Sequence, residues 1–151
     1  MKRLVLAAAL TAAAVQLPVS AGARTAAACY SPAAMEADQA IRYLTDLMVV
    51  SSACQNTVYV EFRARNQQAI RDYQHTLIAH YHGTKGFDDW NTVLANEFSM
   101  KHSGQPTGTL CQQWAPAFAR ASAFDLAGFR AYAAGLATAA TAQYTKCGGR
   151  R

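Results

Sequence analysis

Four cysteines, four histidines and nine acidic side chains are the residues of this 151-residue chain best equipped for chemistry, and their spacing limits what kind. Cys29, Cys54, Cys111 and Cys147 lie too far apart for a C-x-x-C redox pair or a covalent haem attachment. An even number of cysteines in an exported chain instead predicts two disulfides, and four cysteines allow three pairings. The favoured pairing is Cys54–Cys111 with Cys29–Cys147, the second clipping the two chain ends together. Closing a loop the size of 54 to 111 stabilises by about 4 kcal/mol, and 29 to 147 by slightly more.

His75, His80 and His82 are the candidate metal ligands, at the end of a predicted second helix. His75 and His82 share a face, but no i, i+4 pair of the H-E-x-x-H kind exists. A basic side chain in a last helical turn is already favoured by the helix dipole, so capping explains them equally simply. His102 could pair with Met48 around a b-type haem, although Met48 falls on an apolar stripe and reads as core. No cofactor is expected beyond a possible metal ion at the histidines. Asp88-Asp89-x-Asn91 offers hard oxygen ligands but lacks a calcium loop's spacing and closing Glu. Glu61 and Glu97 are two carboxylates that could flank a glycan cleft, and nothing in the sequence brings them together. No G-x-S-x-G surrounds Ser51, Ser52, Ser99 or Ser103. Arg63, Arg65 and Arg71 form the densest basic group and the candidate binding patch. Glu61 and Asp72 sit among them, as on a solvated helix face.

The compartment is written at the start of the chain. Lys2-Arg3, the apolar run Leu4 to Val15 and Ala21-Gly22-Ala23 have the order of a secretory signal peptide. The run is 12 residues long, short of the ~20 needed to span a bilayer. Cleavage after Ala23 leaves one domain, 24–151. Removing Lys2 and Arg3 leaves 12 basic against 9 acidic residues, a balance of +3 that is weak steering for nucleic acid. Ala26-Ala27-Ala28-Cys29 also faintly resembles a lipobox, which would make Cys29 a lipidated terminus.

The elements that must position these residues are helices. Ser31-Pro32 suits a helix start. Ala37, Ile41, Leu44, Leu47 and Met48 then recur at three- and four-residue intervals, widening until the first helix (about 32–52) is apolar almost all round. Asn56 or Thr57 can cap a long second helix bearing Tyr59, Phe62, Asn66, Ile70, Tyr73, Leu77 and Tyr81, ended by Gly83. Asn66 on that stripe is the expected partner of a buried tyrosine hydroxyl. A third helix is expected from Asp88 or Asp89 to the Gly104-Gln105-Pro106 break, a fourth around Leu110–Ala121, and a fifth capped by Asp125. No alternating β-branched run appears. The expected fold is all-α, a compact bundle of four to five helices with two disulfides.

The residues Leu47-Met48-Val49-Val50, Cys54, Tyr59-x-x-Phe62 and Thr92-x-Leu94-Ala95-Asn96-x-x-Ser99 resemble a group of small exported helical proteins of alphaproteobacteria. The resemblance supports pairing of Cys54 with Cys111 and implies no activity, so no catalytic residue carries over. The sequence therefore predicts a non-catalytic periplasmic or secreted protein that recognises a protein or an envelope component. A metal- or small-ligand-binding protein using the His75/His80/His82 region is the alternative, and a cell-envelope hydrolase the third reading.

Overall fold

Ser31 Oγ accepts the Ala34 backbone N–H at 3.1 Å, and Pro32 supplies a fixed first-turn φ, so the longest helix begins where its residue types favour a start. This is α1 (Pro32–Ala53) of the computed structural model, which describes residues 29–147. The segment expected to be a signal peptide, 1–23, lies outside the described residues. Five further helices follow: α2 (Val58–Arg65), α3 (Gln67–His80), α4 (Thr84–His102), α5 (Thr107–Ala123) and α6 (Leu126–Ala139), with a 3-10 turn at Thr141–Gln143. The fold is all-α, and no named strand occurs among the described residues.

The almost all-round apolar pattern of α1 has its consequence in packing. The helix contacts each of the other five, and Ala37, Ala40, Leu47 and Val50 are completely buried along it. Phe62 of α2 and Phe129 of α6 meet edge to face 4.8 Å apart beside it, with Leu77 of α3 and Leu94 of α4 completing the core. Burying a ring the size of Phe62 contributes about 2–3 kcal/mol, and truncating it to alanine costs about 3–5 kcal/mol once the cavity is counted.

Six helices stand where four to five were expected, because Asn66 interrupts the second. At φ −107° and ψ 16° it leaves helical geometry, and its Nδ2 donates to the Phe62 carbonyl at 3.0 Å. An asparagine amide competes for backbone partners in this way, breaking one amphipathic stripe into α2 and α3. Asn66 does not serve a tyrosine: Tyr73 donates instead to Glu36 at 2.7 Å. The helix expected at Asp88 starts four residues earlier. Gly83 at φ +132° precedes it, and Gly86 lies so close to Tyr81 that a Cβ would stand 2.3 Å from the Tyr81 carbonyl oxygen. Glycine alone permits both the turn and the approach.

Both disulfides are formed. Cys54–Cys111 ties the end of α1 to α5. Cys29–Cys147 joins the two ends of the described chain across 118 residues. Beside it Tyr30 and Lys146 form a parallel bridge, with Tyr30 N–H donating to the Thr145 carbonyl at 2.8 Å and Cys147 N–H to the Tyr30 carbonyl at 3.2 Å. A sulfur bonded to Cys147 cannot also carry a thioether lipid, which removes the lipobox reading of Cys29. No described helix is long and apolar enough to cross a membrane.

Candidate functional site

Asp38, Arg42 and Asp46 follow one another at four-residue spacing, so they share one face of the most buried helix. The Asp38 side chain is 1% exposed, and a carboxylate so placed requires partners. Arg42 Nε donates to its Oδ2 at 2.7 Å, and the Tyr144 hydroxyl donates to the same oxygen at 2.5 Å. Gln39 Nε2 donates in turn to the Tyr144 hydroxyl at 2.6 Å. Asp38 Oδ1 has no hydrogen-bond partner. Burial is the largest single influence and pulls the Arg42 guanidinium down, but the charge and hydrogen bond of Asp38, together with Tyr144 and Glu97, outweigh it and hold the group above its ordinary pKa. Burial first, then the bond to Asp38, pushes the Tyr144 hydroxyl well above the usual phenol range.

The disulfide clasp delivers Tyr144 to this place. With Cys147 fixed to Cys29, the chain after the 3-10 turn runs back over α1. Tyr144 then packs 4.8 Å from Tyr30. Tyr30 lies 4.1 Å from the His80 ring and its hydroxyl bonds that of Tyr81 at 2.8 Å. Tyr81 stacks on Trp90 at 5.3 Å, and Trp90 lies under the Arg42 guanidinium at 5.8 Å. The two ends of the described segment are thus tied to the buried carboxylate through side chains as well as through sulfur.

One turn further along α1, Asp46 is held by His102 Nε2 at 2.6 Å and Lys101 Nζ at 3.1 Å, both from the end of α4. The His102 ring is 7% exposed and stands edge-on to Trp114 at 5.7 Å. Between these two charged clusters lies a cleft of about 540 Å³. It is lined by Gln39, Arg42, Tyr43 and Asp46 of α1, Glu97 and Phe98 of α4, Trp114 of α5, Tyr132 and Leu136 of α6, and Gln143 and Tyr144. Arg42 Nη1 is 3.9 Å from Glu97 Oε2 across it. No cysteine or serine lines the cleft, so it offers no covalent nucleophile of that kind, and both its carboxylates already face cations.

The residues singled out in the sequence fall elsewhere. His75 is exposed on α3, His82 is exposed beyond its end at φ +60°, and His80 packs on Tyr30, where burial lowers its pKa. Among the described residues no three His, Cys, Asp or Glu side chains are grouped as a metal ion requires. Arg63 is exposed on α2. Arg65 donates to the Ala121 and Ser122 carbonyls at 3.3 and 3.2 Å, satisfying the end of α5, and Arg71 donates to Gln68. Glu61 bonds Thr57 at 2.7 Å on α2, while Glu97 faces Arg42 from α4. Asp88 and Asp89 lie inside α4, with Lys85 bonded to Asp89 at 2.6 Å. Of the haem pair, His102 belongs to Asp46, and Met48 is 36% exposed, not the core residue its stripe suggested.

The signal for the cleft was nonetheless present: three charges at four-residue spacing on a helix otherwise apolar nearly all round. Such charges must meet partners from other elements, and here those partners build the site.

No family model matches the chain, and no curated protein or solved structure matches it either. The functional reading rests on the cleft itself.

Proposed function

We propose that this is an exported, non-catalytic binding protein that takes a small ligand in the cleft between α1, α4, α5 and α6. Two disulfides and the absence of a membrane-spanning helix among the described residues fit a periplasmic or secreted location. The observation that carries the reading is the cleft: concave, of ligand size, lined by aromatic rings and a few converging polar groups. A protein or envelope partner, favoured by the sequence, would need a contiguous exposed apolar face. The large exposed apolar residues come from four helices: Met48 on α1, Val60 on α2, Val93 and Met100 on α4, and Leu126 on α6.

Native mass spectrometry of the protein taken from its host's periplasmic extract tests this. A one-to-one adduct of a few hundred daltons is expected, and it is lost in Gln143→Trp, which fills the cleft from its exposed rim. A ligand-free mass, or an adduct unaffected by that substitution, overturns the proposal.

A further inference from the structure

The two disulfides differ in their surroundings and in what they hold. Cys54 caps the end of α1 and Cys111 lies within α5, and both are half-buried. Cutting that bond leaves each cysteine seated on a helix that packs against others. Cys29 and Cys147 are both exposed, and each belongs to a short segment outside the helices. A second cavity, of about 420 Å³, lies against their bond and is lined by both cysteines, Ser31, Thr76 and His80. A thiol can reach this disulfide from solvent, and access is one of the conditions for thiol–disulfide exchange.

What the bond holds is a wall of the cleft. The two segments it joins share only two backbone hydrogen bonds, Tyr30 N–H to the Thr145 carbonyl and Cys147 N–H to the Tyr30 carbonyl. Thr145, Lys146 and Cys147 are exposed, so little buried area retains them once the sulfur link is cut. Tyr144, which lines the cleft, is then held on α1 only by its hydroxyl bonds to Asp38 and Gln39 and by packing on Tyr30.

Resting on the cleft as the binding site, we infer that Cys29–Cys147 is a reducible latch: a dithiol opens it, and its opening withdraws Tyr144 from the cleft. A thiolate of the dithiol attacks one of the two sulfurs, forming a mixed disulfide and expelling the other cysteine as a thiolate. The second thiolate of the same molecule then displaces the first cysteine. The dithiol ends as a disulfide, and its two protons end on Cys29 and Cys147, now thiols. Cys54–Cys111 stays closed and keeps α1 tied to α5.

Dithiothreitol is the probe, added to the native protein at about pH 8 and followed by iodoacetamide trapping and peptide mass spectrometry. Cys29 and Cys147 are expected to be trapped about tenfold faster than Cys54 and Cys111, with the far-ultraviolet helix signal retained. Cys29→Ser with Cys147→Ser reproduces the open state without thiols. In that protein tetranitromethane, which attacks accessible phenolates, is expected to nitrate Tyr144 about tenfold faster than in the oxidised form. Equal trapping of the two pairs overturns the latch, as does reduction of Cys29–Cys147 only in denaturant. Loss of helix on its reduction also overturns it, because the bond is then a staple of the whole fold. Unchanged nitration of Tyr144 overturns it as well. Where the oxidised protein carries the periplasmic adduct, opening is expected to release it, and full retention overturns the latch while leaving the binding function standing. If the oxidised protein carries no adduct, the binding function falls, and trapping and nitration still decide the latch.

Discussion

The two halves of α1 solve the same packing problem with opposite chemistry. Its N-terminal half buries Asp38 and is closed by Tyr144, Tyr30, Arg42 and the Cys29–Cys147 clasp. Its C-terminal half buries Leu44, Leu47 and Val50, next to the aromatic cluster of Phe62, Phe124 and Phe129, and ends at Cys54–Cys111. In the second half apolar burial supplies stability by area, and the disulfide adds to it. In the first, a buried ion pair returns little net stability, because desolvation cancels most of its attraction. There the covalent link holds in place the very groups that satisfy the carboxylate. The cleft spans the junction of the two halves, lined by Gln39 and Arg42 from the first and by Tyr43 and Asp46 from the second.

The largest test of this contrast removes each disulfide in turn. Cys29→Ser with Cys147→Ser is expected to lower stability by about 5 kcal/mol, and Cys54→Ser with Cys111→Ser by about 4 kcal/mol, on loop-closure grounds. The decisive difference lies in the cleft. Only loss of the clasp frees Tyr144 and should abolish ligand binding in protein that still has native helix content. Equal loss of binding in both variants, measured beside urea unfolding curves, would remove the distinction between the halves.

Next in size is Arg42→Met, which leaves Asp38 buried with only the Tyr144 hydroxyl. An unpaired buried charge costs about 3 kcal/mol or more. Asp38→Asn in the same background should recover much of that loss by removing the charge. A double-mutant cycle in urea measures the coupling, and simple additivity of the two substitutions would show that the pair does not act as a unit.

The tyrosines then separate the halves by sign. Tyr144→Phe deletes a bond to a charged acceptor and is expected to cost about 2 kcal/mol. The Tyr43 hydroxyl is buried beside the aromatic cluster and has no partner, so Tyr43→Phe is expected to be neutral or to stabilise by about 1 kcal/mol. Alkali sharpens the same comparison. Burial raises Tyr30, Tyr43, Tyr73, Tyr81 and Tyr144 above the ordinary value of 10.0, Tyr43 to about 12. Raised folded-state values mean that the folded protein keeps protons that the unfolded chain releases. The tyrosines' contribution to stability is therefore fully present below pH 10 and declines as pH rises above it. Tyr43→Phe should remove part of the decline between pH 10 and 12, seen in denaturation midpoints. A flat profile over that interval in the unsubstituted protein would contradict the burial of these hydroxyls.

Much of the fold was legible because its signals are local. Ser31-Pro32 opens α1, and Asp125 accepts the Gly128 N–H at 2.7 Å to cap α6, as their residue types imply. The cleft was not, because its walls come from residues as far apart as Gln39 and Tyr144, brought together by the bundle and the clasp. The histidine cluster drew attention by proximity in sequence, yet helix geometry and the turn at His82 send its members different ways. Arg42 and Asp46 carry no motif, and only the depth of α1 shows that their charges need partners.

Asn66 marks the boundary between what local pattern encodes and what it conceals, and it gives the smallest test. Its stripe position suits one continuous helix, while its buried amide turns back onto the Phe62 carbonyl and leaves Oδ1 unpartnered. Asn66→Ala removes both the competing donor and the orphan acceptor, and alanine is the strongest helix former. The lost bond and small cavity oppose the gain in propensity, so the net change is expected to stay within about 1 kcal/mol of zero. Backbone amide exchange at residues 66–70 should slow as α2 and α3 join into one helix. Unchanged exchange there would mean that packing against α1 and α5, not the asparagine, sets the break.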